Sequence, residues 1–214
     1  MSKGMPLALL AAALLSLAGC DGGTPPTEQS QASAPAPTQA ASTLKASQYP
    51  DVAAMIDDMG DFSAEIDTFA VLSTEPLHIR LAPQIVQGDI AENLPRDMNR
   101  AALYGIYRTL IHTPAQAVTV TVVPMRLTLN PAKRELQSSP QLVVSATREQ
   151  ALAAVRSLIP AEQLSDLVVP EQAGEIQFDN WRKDFEKVYF GDKGQNDLLE
   201  ALKASGANVA YKQG

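Results

Sequence analysis

Apolar residues recur along this chain with two different periods, and the periods divide it into strands and helices. Leu77, Ile79 and Leu81 alternate with His78 and Arg80 before Pro83. A period of two bounded by proline predicts a half-buried strand, with residues 84–90 extending it past a kink. In "ENLPRDMNRAALYGIYRTLIHTP" (92–114), Leu103, Ile106, Tyr107 and Leu110 recur at helical spacing. Pro95 suits a first turn, Asp97 lies near the positive end of the dipole, and Pro114 closes the helix. A strand follows in which Val118, Val120 and Val122 share one face, but beyond Pro124 the apolar Leu127 and Leu129 fall on odd positions. No regular strand buries both sets on one side, and proline withholds a ladder N–H. A bulge, bend or break within two residues of Pro124 is therefore expected, with both sets turned toward one core.

The remaining pattern is shorter-ranged. "QLVVSA" (141–146) reads as a strand, and Thr147 with Gln150 forms a capping box before a helix striped by Ala151, Leu152, Val155, Leu158 and Ile159. A short helix is expected over 161–168. Asp179 is placed to cap a helix with Trp181, Phe185, Val188 and Tyr189 on one side. Another helix, "NDLLEALKASG" (196–206), ends at Gly206, and "ANVAY" (207–211) reads as a last strand. At the front, Asp51 caps a helix carrying Val52, Met55 and Ile56, with a second helical turn expected through 63–72. This order predicts an α+β fold: a small mixed or antiparallel sheet with helices packed on one face. A split βαβ, ferredoxin-like topology is the expected arrangement.

Before Tyr49 the pattern changes character. Lys3 precedes an apolar run, "MPLALLAAALLSL" (5–17), that is too short to span a bilayer but suits the core of a signal peptide. "LAGC" (17–20) follows and holds the only cysteine. These residues resemble the lipobox of bacterial lipoproteins. The resemblance covers about the first twenty residues and implies cleavage before Cys20, a diacylglyceryl thioether on its sulfur, and acylation, typically with palmitate, of the new amino group. Asp21 resembles the signal that holds enteric lipoproteins in the inner membrane, with the outer membrane as the alternative destination. Residues 22–48 are rich in Pro, Ala, Ser, Thr and Gln and nearly devoid of bulky apolar side chains, so they are expected to be a disordered linker. The expected organisation is a signal peptide at 1–19, a lipidated cysteine and linker at 20–48, and one periplasmic domain at 49–214.

Charge narrows the partners. The chain of 214 residues has a formal net charge of −7 and no basic block, a poor electrostatic match to nucleic acid or to anionic lipid headgroups, and nucleic acid is not an expected partner. One cysteine at the anchor leaves no intramolecular disulfide. The two histidines, His78 and His112, lie in different predicted elements, and no metal-ligand spacing or cofactor motif accompanies them, so neither metal nor cofactor is expected. His112 is read as a dipole partner at a helix C-terminus, His78 as exposed. The acidic stretch "DDMGDFSAEID" (57–67) lacks EF-hand spacing and reads as a solvated face or equally as an electrostatic docking surface for a basic partner, with Asp57, Asp61 and Glu65 aligned if helical. No catalytic residues are assigned, because no nucleophile elbow or phosphate loop appears. Two clusters are candidates for a partner surface or for core: Tyr104, Tyr107 and Arg108 on the long helix, and Trp181, Phe185, Tyr189 and Phe190. The functional expectation is a membrane-anchored binding or assembly module for an envelope protein, with an envelope hydrolase or a small-molecule carrier as the alternative.

Overall fold

The computed structural model describes residues 44–86 and 93–213. The signal peptide, Cys20, Asp21 and residues 22–43 of the expected linker lie outside the described residues, as do 87–90 of the expected strand extension. Among the described residues, no helix is long and apolar enough to cross a membrane. The α+β class holds.

Five strands form the main sheet: β1 (Phe69–Thr74), β2 (Leu77–Leu81), β4 (Ala117–Val122), β7 (Gln141–Thr147) and β10 (Asn208–Lys212), side by side in that order. β2 and β4 are parallel and every other pair is antiparallel. The alternation read from the sequence appears as rows across this sheet. Ile79 pairs with Val120, Val120 with Val144, and Val144 with Val209. Leu81, Val122, Leu142 and Tyr211 make the next row. The apolar rows face the helices, while the opposite face is polar: Thr119 bonds Ser145 at 2.9 Å, and half-buried His78 bonds Thr121 at 2.8 Å.

Over the apolar face lies α2 (Asn93–His112), buried on nearly every side from Met98 to Thr113. It approaches the sheet through Gly105, where an added Cβ would sit 2.8 Å from Val120 Cγ1. Asp97 lies one turn into α2, where it pairs with Arg100 at 2.9 Å. Since β2, α2 and β4 form a crossover between directly adjacent strands, the expected split βαβ order is corrected. A split unit needs a third strand between the two parallel ones, and here their ladder is continuous.

Helix α1 (Val52–Met59) is capped as expected: Asp51 Oδ1 accepts from Ala54 N at 2.9 Å, and Gly60 closes the helix at φ +73°. The second helical turn expected over 63–72 is instead a turn leading into β1. Helix α3 (Arg148–Arg156) opens with the reciprocal Thr147–Gln150 capping box. A 3-10 turn, Leu164–Leu167, stands where the short helix was expected. Helices α4 (Lys183–Phe190) and α5 (Asp192–Ala204) follow, α5 ending at Gly206 in the left-handed conformation.

The break at Pro124 is present. β3 (Gln84–Val86) continues β2, and β5 (Met125–Leu129) continues β4, into a separate three-stranded sheet completed by β6 (Ala132–Leu136). Leu81 pairs with Val122 before the break and Gln84 with Met125 after it, so Pro83 and Pro124 fall opposite each other. Neither can donate a ladder hydrogen bond. The second half of the expectation is corrected. Val118, Val120 and Val122 belong to the main core, but Val123 and Met125 bury against Ala82 in a small separate cluster. Leu127 is only half-buried, and Leu129 is 68% exposed.

Candidate functional site

The final two strands not yet placed, β8 (Val168–Ala173) and β9 (Ile176–Trp181), form an antiparallel hairpin turning at Gly174, whose φ is +64°. Side chains on the two faces of a hairpin alternate. Gln177, Asp179 and Trp181 point inward, whereas Ile176, Phe178 and Val169 point outward.

The inward residues meet the end of α2 and the N-terminal segment Leu44–Tyr49. Asp179, with a side chain 3% exposed, accepts from Ser47 N at 2.8 Å through Oδ2 and from Gln177 Nε2 at 3.1 Å through Oδ1. Gln177 Nε2 also donates to Lys45 O at 2.9 Å and Ser47 Oγ at 3.1 Å. Tyr49 N donates to His112 O at 2.8 Å, and Gln48 Nε2 to Ile111 O at 3.0 Å. Residues 44–48, expected as the end of the linker, are thus ordered against the domain. Backbone groups of Lys45 and Ser47, together with the Ser47 and Gln48 side chains, supply the fit, and polar contacts of this kind leave no apolar pattern in the sequence.

His112 is fully buried, and its hydrogen bonds fix its tautomer. The Ser47 carbonyl, 2.9 Å from Nδ1, can only accept, so Nδ1 carries the proton. Nε2 then accepts from Arg108 Nη1 at 3.2 Å. Burial holds the His112 pKa below its ordinary value; the Arg108 charge adds to that, and together they outweigh the opposing Ser47 carbonyl and Asp179 carboxylate. With both nitrogens engaged and no exposure, this imidazole is a latch and not a general base toward a solvent-borne substrate. Arg108 also donates to Asp179 O at 2.7 Å and lies 3.6 Å above the Trp181 ring, while its buried Nε has no partner among the described residues.

No family model, curated protein or solved structure matches the chain.

The expected partner surface on α2 is corrected. Tyr107 is fully buried and donates to Ala151 O at 3.2 Å; Tyr104 is buried beside Phe62, and Arg108 is spent on the network above. A helix covered all round has no face to offer. In the second cluster, Phe185 and Tyr189 are core and Trp181 half-buried, leaving only Phe190 exposed. His112 is no simple dipole partner, and His78 is not free. The acidic stretch does not form one helix face, because α1 stops at Met59. Asp58 accepts from Tyr49 Oη at 2.5 Å, and Asp67 pairs with Arg80. Among the described residues no group of three or more His, Cys, Asp and Glu could hold a metal ion. Asp179 does not cap α4, since it lies in β9, and α4 starts after Arg182 without a side-chain cap.

What the pattern reading missed is the outward face of the hairpin. Ile176 is 61% exposed and Phe178 48%; across the ladder Ala173 faces Ile176 and the exposed Glu171 faces Phe178, while Val169 faces Asn180 in the next outward row. The signal was present in "EIQFD": apolar residues alternate with Gln177 and Asp179, but the polar set is the buried one.

Proposed function

We propose that the protein is an envelope lipoprotein, anchored through Cys20 and sorted by Asp21 to the periplasmic face of the inner membrane. Its domain docks a partner protein through the outward face of the β8–β9 hairpin. The observation that supports this reading is the hairpin's division of labour. Its inward face holds the segment that leads back toward the anchor, and its outward face presents Val169, Ile176 and Phe178 to solvent. Ile176 and Phe178 are neighbours on this face, with Val169 diagonal to Phe178, and large apolar side chains exposed together are a common sign of protein contact. Glu171, opposite Phe178, and Glu175 at the turn favour a partner that brings basic side chains beside its apolar ones.

A photo-crosslinking residue at Phe178, compared with one at the exposed Lys203 of α5, tests the surface in intact envelopes. A discrete adduct is expected at 178 and not at 203, and it should disappear with Ile176→Glu. Identical adducts at both positions, or none at 178, would overturn the assignment.

A further inference from the structure

The hairpin of β5 and β6 beyond Pro124 carries three cations and one carboxylate, the reverse of the chain's overall balance. The register of the three-stranded sheet sets the rows. Gln84, Met125 and Leu136 form the base; Val86, Leu127 and Arg134 stand side by side above it; Leu129 and Ala132 form the tip. Val86 is 41% exposed and Leu129 68%, the largest value among the exposed large hydrophobics. Arg134 lies in the same row as Val86 and Leu127, and Arg126 and Lys133 project from the opposite side of the hairpin. All three cations are exposed. Glu135 is the one carboxylate of this hairpin; it lies 3.6 Å from Lys133, and among the described residues Arg126 and Arg134 have no ion pair.

We infer that this aliphatic tip with its basic flanks is a second membrane contact, taking the anionic headgroups of a lipid surface. The net charge of −7 seemed to argue against such a partner. Screening removes that objection, because charges more than about 10 Å apart hardly feel one another at physiological salt. Among the described residues of this sheet, what the lipid meets is the local set: Arg126, Lys133 and Arg134 against Glu135. Cations of this kind are drawn to anionic leaflets, and aliphatic side chains between them enter the headgroup boundary. Charge also separates this face from the β8–β9 hairpin, whose apolar residues are flanked by Glu171 and Glu175 and would be repelled by the same surface. The surface assignment stands on these residues; the proposed anchor enters only by supplying a high local concentration of lipid, which lets a weak contact be populated.

The test uses the chain from position 20 onward carrying Cys20→Ser, so that neither the signal peptide nor an acyl chain contributes. Co-sedimentation is measured with vesicles of phosphatidylglycerol and phosphatidylethanolamine and, separately, of phosphatidylcholine. Binding is expected to the anionic vesicles at about 50 mM salt, to fall several-fold at about 500 mM, and to be far weaker on the zwitterionic ones. Arg126→Glu with Arg134→Glu should lower the anionic partition by at least about tenfold while leaving the thermal midpoint unchanged. Leu129→Gln, at an exposed position that cannot unfold the core, should weaken it without changing the salt dependence. No binding to anionic vesicles, equal binding to both compositions, or an unaffected charge-reversed variant would each overturn the inference. Failure of the Cys20 anchor would leave this assay untouched, since no lipidated cysteine is present in it.

Discussion

Replacing Asp179 with alanine tests whether the buried network holds the N-terminal segment. The carboxylate accepts two hydrogen bonds, from Ser47 N at 2.8 Å and Gln177 Nε2 at 3.1 Å, and its negative charge reaches Arg108 and His112. Hydrogen bonds to a charged group contribute about 1.5–3 kcal/mol each, and breaking a buried charged set by removing one partner costs about 3–5 kcal/mol. Those two figures describe the same loss, so Asp179→Ala should destabilise by about 3–5 kcal/mol. For a domain of this size that corresponds to a fall in the melting midpoint of about 10 °C. Asp179→Asn keeps an oxygen for the Ser47 amide and should recover about half of the loss. Urea melts can be followed by fluorescence of Trp181, the only tryptophan, which packs under Arg108. Amide exchange at Ser47 and Tyr49 should rise in the alanine variant well before the global transition. A loss below about 1 kcal/mol with both amides still protected would refute the reasoning.

Three further outcomes follow from particular contacts. Because burial lowers the native pKa of His112, the unfolded chain takes up its proton first; stability should therefore decline as pH falls below about 6.5, the decline from this group ending at its depressed native value. Urea melts between about pH 7.5 and 5.5 should show that slope, and His112→Gln should flatten it. Val120→Asp places an unpaired charge in the centre of the sheet and should cost several kcal/mol in a denaturation curve, whereas Leu127→Asp, opposite Arg134 in the outlying sheet, should stay within about 1 kcal/mol of the parent. Gly194→Ala in α5 would put a Cβ 2.5 Å from the Val188 carbonyl oxygen of α4, so it should lower the melting midpoint despite alanine's better helix propensity of about 1 kcal/mol.

The legible parts of the chain were those where burial and polarity ran together. β2, β4 and β7 bury one face against helices, and their even or odd apolar positions said so; the Thr147–Gln150 box and Gly206 marked helix ends because capping chemistry is local. Elements whose burial comes from elsewhere were not legible. β1 is an edge strand buried mainly at Phe69, so it shows no alternation. "AKREL" in β6 is exposed at four of its five residues and carries no core signal. β8 contains Pro170, which argues against a strand, and β9 inverts the usual rule by burying Gln177 and Asp179 while exposing Ile176 and Phe178. The parity switch at Pro124 was readable, but its destination was not: a proline reports a broken ladder and says nothing of which core lies beyond it. The site shared that fate. Arg108 and His112 come from α2 and Asp179 from β9, and no local pattern links residues so far apart in sequence.

The claim that most of the functional account depends on is the lipid on Cys20, and intact mass measurement of the N-terminal peptide, recovered from envelopes, tests it directly. The account predicts a mature chain that begins at Cys20, with a diacylglyceryl group on the sulfur and an acyl group on the amino terminus. A free thiol at position 20, or a chain cut at another residue, would contradict it.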